Sequence, residues 1–147
     1  MQSSAFDYFD LTGRAIAPQL GPSGGAWTNL LRTVYHCPGD QRVGAWSYGM
    51  NVYFELGPDD DYTGKPLTWR RLDQVPEPAD TVIFAESATS ADHIMAHFWM
   101  TAADAVDVAS KRHRQKANYT FVDGHAQLLP FSQTFAPPQR DLWNPQP

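Results

Sequence analysis

Apolar positions fall into short runs cut by Gly and Pro, and none approaches the ~20 residues that a bilayer-spanning helix needs. The near-continuous run Thr81-Val82-Ile83-Phe84-Ala85-Glu86-Ser87 is bounded by turn formers, the pattern of a strand covered on both faces, and is expected to be the most central strand. Residues 46–56, rich in aromatic and β-branched side chains and ending at Gly57-Pro58, predict a second strand with Tyr48, Met50, Val52 and Phe54 on its core face. Over 118–129, two alternating segments meet at Asp123-Gly124. This predicts a hairpin with a type I′ turn, both turn residues at positive φ, and Tyr119 and Phe121 sharing a face with Ala126 and Leu128. Trp27, Leu30, Leu31 and Val34 recur at helical spacing and predict a helix of about two turns, stopped by Pro38-Gly39. Residues 91–100 stay open between helix and strand.

The remaining segments suggest an organisation around one head. Residues 1–25 alternate aromatic and acidic positions before a Gly-Pro-Ser-Gly-Gly turn and read as an N-terminal arm; 26–131 read as the globular head. Residues 132–147 contain four Pro, so they read as a tail lying along the domain, anchored by Phe135, Leu142 and Trp143. The expected class is α+β, a single small, loop-rich domain with an antiparallel sheet. A length of 147 residues suits one such domain, and 42% hydrophobic against 18% charged residues argues against wholesale disorder.

A net charge of -5 argues against nucleic acid as a partner, because the phosphate backbone is gripped by excess Lys and Arg, and the only basic cluster, 111–116, is short. The single cysteine, Cys37, excludes an internal disulfide and any site of two thiolates. Residues 1–20 lack a basic start followed by an apolar stretch, so no targeting segment and no membrane span are expected in this chain.

Arg112-His113, nine residues, then Asp123-Gly124, in the setting RHRQKANYTFVDGH, resembles the C-terminal motif of the prepilin-type, processing-associated H-X9-DG family. These are pilin-like or pseudopilin-like polypeptides of Planctomycetes, Verrucomicrobia and relatives. Three further segments are similar to the family's pattern in the same order: Cys37-Pro38-Gly39-Asp40, Ser47-Tyr48-Gly49-Met50-Asn51, and Pro78-Ala79-Asp80-Thr81-Val82-Ile83-Phe84 leading to Glu86. The resemblance covers about residues 27–129. It implies a pilin-like head that is non-enzymatic and packs with other pilin-like subunits or itself; the long apolar N-terminal helix with which members of the family typically begin is absent here, a departure from the family's pattern. The fibre or secretion-associated pseudopilus so formed implies a cell-envelope or extracellular location. The alternative is a glycan-binding extracellular surface module.

Several residues carry candidate chemistry. A loop that brings His113 to the carboxylate of Asp123 gives half of a general-base dyad or a hydrogen bond pinning loop to hairpin; structure is the expected role of His113, Asp123 and Gly124, with no catalytic residue. Adding His125 would give two imidazoles and a carboxylate for a metal, but neighbours along a strand point to opposite faces. His93 and His97 share the spacing of a zinc-protease helix but lack its Glu, so no metal is expected there. Asp59, Asp60 and Asp61 offer hard oxygen ligands for calcium in one loop without the EF-hand spacing, so the expected cofactor is none, with calcium the exception considered. Trp46, Trp69, Trp99 and Trp143 are candidate surface contacts, since sugar rings stack on exposed indoles, against the simpler role of core packing.

Overall fold

The computed structural model describes residues 33, 35–43, 45–55, 69 and 71–145. The arm 1–25, the helix expected over 27–34 except residue 33, and nearly all of the loop and turn of 57–72 lie outside them. The strands among the described residues are β1 (Tyr48–Asn51), β2 (Val82–Glu86), β3 (His93–Ile94), β4 (Ala117–Phe121), β5 (Ala126–Leu129), β6 (Phe135–Ala136) and β7 (Arg140–Asp141). Five form one sheet in the order β3-β1-β2-β4-β5, and β6 pairs with β7 apart from it. The sheet is mixed, not purely antiparallel: β1–β2, β2–β4 and β4–β5 are antiparallel, while β3 runs parallel to β1. β3 pairs along the edge of β1 that faces away from β2. Helical structure among the described residues consists of single 3₁₀ turns, and no helix is long and apolar enough to cross a membrane.

The Val-Ile-Phe-Ala run is β2, the middle strand. Its register shifts between Val82 and Phe84, so Val82 stands opposite Phe121 while Ala85 stands opposite Tyr119. Val82 and Ala85 thereby face the main core together. Strand side chains alternate, so without this shift Val82 and Glu86 would share a face; with it, Glu86 turns away from the apolar cluster. A single irregularity thus decides where a carboxylate goes.

β1 is shorter than the expected strand and uses the other face. Asn51, fully buried, accepts from the Tyr53 amide through its side-chain oxygen at 3.3 Å and starts a 3₁₀ turn over Val52–Phe54. Its Nδ2 donates to the carbonyls of Val82 at 2.8 Å and Trp143 at 2.7 Å, tying β1, β2 and the C-terminal segment together. These bonds offset the cost of burying an amide and account for a polar side chain where alternation predicts an outward one.

The β4–β5 connection also departs from expectation. Gly124 has φ of 94°, but Asp123 is not at positive φ, and the amide of Gly124 donates to the carbonyl of Phe121 at 2.9 Å. This is a type I turn followed by a left-handed glycine, a three-residue loop in place of a two-residue type I′ turn. The extra residue moves the register by one: Tyr119 stands opposite Gln127, and Leu128, opposite Asn118, is exposed. Ala126 and Leu128 therefore do not share a face with Tyr119 and Phe121.

The main core gathers Val82, Ala85, Ile94, Tyr119 and Phe121 from the sheet with Trp99, Phe135 and Trp143 from outside it. Trp99 packs edge-on against Trp143 at 4.8 Å and Phe135 at 5.4 Å, the orientation aromatic quadrupoles favour. Trp143 Nε1 donates to Thr134 Oγ1 at 3.2 Å, so its burial leaves no stranded donor. A smaller cluster of Phe54, Val75 and Val122 includes half-buried Met50, Trp69 and Ile83.

Candidate functional site

Beside β2, residues from four separate stretches of chain meet in one buried polar network. Glu86, wholly buried at the end of β2, is its centre. A carboxylate there must be hydrogen-bonded or paired, because an uncompensated buried charge is prohibitively costly. Its Oε1 lies 2.8 Å from His113 Nε2 and 3.8 Å from the Arg112 guanidinium, and its Oε2 accepts from the Asn118 amide at 2.8 Å. His113 is brought there by a tight reversal: its amide and that of Lys116 donate to each other's carbonyls, with Arg114 at φ 53° and Gln115 at φ 69°.

Cys37 Sγ lies 3.4 Å from the same Nε2. The 37–40 turn closes over the histidine ring because residue 39 is glycine; a Cβ there would stand 3.2 Å from His113 Cε1. Asp40 continues the network. It accepts from the Arg42 Nε and NH2 groups and from Ser47 Oγ at 2.8 Å, and it pairs with Arg112 at 3.0 Å. Arg112 also donates to the carbonyls of Ser47 at 3.0 Å and Ser87 at 2.7 Å. Arg42 donates to the carbonyls of Trp46, Ser87 and Thr89.

The electrostatics follow from these contacts. The Arg42 guanidinium holds the Asp40 carboxyl well below the usual carboxylate range. Burial, reinforced by Glu86, pushes the Cys37 thiol up. Burial pushes the Tyr48 hydroxyl up to about 12, with Cys37 and Glu86 adding to the effect.

A cysteine, a histidine and a carboxylate in contact invite comparison with a nucleophilic triad, and the geometry argues against one. In a triad the acid orients one ring nitrogen and the nucleophile meets the other. Here Glu86 and Cys37 both address Nε2, and the thiol is buried with its acidity lowered, the reverse of an activated nucleophile.

His113 and Asp123, expected to meet, do not pair. His113 turns to Glu86, while Asp123 Oδ1 lies 2.6 Å from His125 Nδ1 at the hairpin loop, where the His125 ring stacks on Phe121 at 4.3 Å. The trio of His113, Asp123 and His125 is therefore not assembled as a metal site. Among the described residues the one group of metal-ligating side chains brought together is Cys37, Glu86 and His113. His93 and His97 do not share a helical face, since one lies in β3 and the other in the 3₁₀ turn Ala96–Phe98. His93 sits 3.1 Å from Asp92, and burial lowers the pKa of His97.

Asp59, Asp60 and Asp61 lie outside the described residues. Of the four candidate tryptophans, Trp99 and Trp143 are buried in the main core, so neither presents an indole face to a ligand. Trp46 is half-buried, edge-on to Tyr35 at 5.3 Å, and Trp69 packs into the smaller cluster.

Cys37, Asp40, Glu86 and Arg112 are visible in the sequence as pieces of the resemblance, yet nothing there shows them meeting. One signal pointed their way. Glu86 closes an apolar run that must be buried, and such a carboxylate requires a cationic partner, which Arg112-His113 supplies. No protein-family model, curated protein or solved structure matches this chain.

Proposed function

We propose that this chain is a non-enzymatic structural domain, the head of a pilin-like or pseudopilin-like subunit that assembles into a cell-surface fibre or secretion-associated pseudopilus. One observation carries the reading. The segments that resemble the H-X9-DG family supply Cys37, Asp40, Ser47, Glu86, Arg112 and His113, and these side chains are spent on one another inside the domain. Such a motif acts as an internal brace. The working parts of a braced head are its surfaces, packed by a repeated, non-closing contact that propagates a filament. β5 suits such a contact: it is an edge strand of the sheet, and Leu128 on it is 46% exposed.

Immunogold labelling of cells producing the full protein tests this reading. Label running along surface fibres, lost when Leu128→Asp is introduced into a folded head, is the expected result. Label confined to the soluble fraction, or a closed dimer as the only assembly, overturns it.

A further inference from the structure

We propose that Cys37, Glu86 and His113 form a binding site for a single divalent transition-metal ion of zinc type, which clips the 37–40 turn and the 113–116 reversal to the end of β2. The sulfur, carboxylate oxygen and imidazole nitrogen of these residues all lie within 4.8 Å of one another. Ligand atoms around tetrahedral zinc stand roughly 3.3–3.7 Å apart, given bond lengths of ~2.0–2.3 Å. The Sγ to Nε2 separation of 3.4 Å already meets this, and the Nε2 to Oε1 separation of 2.8 Å needs to open by only about 0.6 Å.

The convergence of two partners on one ring nitrogen is the second observation. Without an ion, a hydrogen on Nε2 serves the carboxylate oxygen at 2.8 Å and the thiol hydrogen is left to the same carboxylate; a cation at the centroid replaces both hydrogens and serves all three atoms. On binding, the Sγ–H bond gives way to an Sγ–metal bond and the proton passes to solvent. Nε2 gives up its hydrogen to solvent and presents its lone pair to the ion, while Nδ1 takes one up from solvent, so the ring stays neutral. No oxidant or reductant is required.

Ligand chemistry selects the ion. One soft thiolate, one borderline imidazole and one carboxylate suit zinc or its neighbours, whereas calcium needs six or more oxygens and magnesium favours oxygen alone. Arg112 opposes a cation, yet its guanidinium is paired with Asp40 at 3.0 Å. Two carboxylates, Asp40 and Glu86, face two guanidiniums, Arg42 and Arg112, so the formal charges around the site balance before the ion arrives. Adding a divalent ion while losing the thiol proton raises the charge by one. The His113 side chain, 30% exposed, gives the ion its way in.

The test uses the full chain, stripped with chelator and titrated with zinc and then cobalt, followed by calorimetry, elemental analysis and absorption spectroscopy. One equivalent of zinc, a thiolate-to-cobalt charge-transfer band, and zinc-dependent protection of Cys37 from alkylation are expected. Cys37→Ser and His113→Gln should weaken binding by more than the roughly 10- to 100-fold lost when an outer-shell partner is removed. His125→Ala should leave it unchanged. Absence of binding at stoichiometric zinc, a cobalt complex without the thiolate band, or full binding by Cys37→Ser overturns the assignment. The alkylation readout needs no variant, so it stands even if the substituted chains fail to fold.

Discussion

Two reversals of this chain each set a histidine against a carboxylate, and they differ in almost everything else. The loop at 121–125 holds His125 and Asp123 at 2.6 Å, two residues apart, with Gly124 supplying the one left-handed residue at φ 94°. The reversal at 113–116 is the true type I′ turn, and its left-handed positions are filled by Arg114 and Gln115, residues that resist that conformation by about 1–2 kcal/mol each. It sends His113 to a carboxylate 27 positions away and 0% exposed. The two contacts are of similar length, so distance does not rank them. Burial and separation along the chain do: the exposed pair exchanges water for a neighbour, whereas the buried pair holds together segments that would otherwise part. Strain is tolerated where tertiary contacts over-determine the backbone.

The largest effect should come from removing the buried acceptor. Glu86→Ala strands the Asn118 amide and leaves Arg112 and His113 with one fewer anion, and is expected to cost about 3 to 5 kcal/mol in denaturant unfolding. A loss below 1 kcal/mol would make the two histidine pairs equivalent and erase the contrast between them. Asp40→Asn comes next, at about 1.5 to 3 kcal/mol, since it removes the charge facing both Arg42 and Arg112. Its pH dependence has a definite sign. Arg42 depresses the folded pKa of Asp40, so the contribution is complete above the ordinary carboxylate value of about 4 and disappears only as pH falls through the still lower folded value. The gap between wild type and variant, measured by unfolding from neutral pH downward, should stay flat to about pH 5 and close in strong acid. A gap closing between neutrality and pH 6 would assign the effect to a histidine.

The contrast also explains what could be read from residues alone. Local patterns were legible: the apolar run of β2 and its central place, and the tail's anchors Phe135 and Trp143, now in the core. Choices that depend on one backbone dihedral were not. Asp-Gly is compatible with a two- or a three-residue loop, and the difference moves Leu128 from core to surface. Alternation placed Val52 and Phe54 on a strand, but Asn51 is held by Trp143, 92 positions later, and turns the chain first. The site was least legible because the contacts that close it span 27 to 76 positions, as between Glu86 and His113 and between Cys37 and His113. The nearer partner, Asp123, offered the simpler pairing for His113 and was captured instead by His125.

Exchanging the turn chemistries sharpens the comparison at intermediate cost. Gly124→Ala meets no heavy atom within 4 Å, so its penalty is purely conformational, about 1 to 2 kcal/mol. Gln115→Gly should act in the opposite sense, relieving strain at φ 69° against a larger unfolded-state entropy, for a net gain of at most about 1 kcal/mol by thermal unfolding. If Gln115→Gly destabilises instead, side-chain contacts of Gln115 and not backbone strain govern that turn. The smallest effect is reserved for the exposed pair. His125→Ala removes the 2.6 Å contact with Asp123, but the His125 amide still donates to Asp123 Oδ1 at 3.1 Å and the Phe121 amide to the His125 carbonyl at 2.9 Å. The backbone bonds that define the loop survive the substitution. The unfolding midpoint should therefore stay within experimental scatter of wild type, and a clear drop would show that the stacked ring on Phe121 carries weight that its exposed hydrogen bond does not.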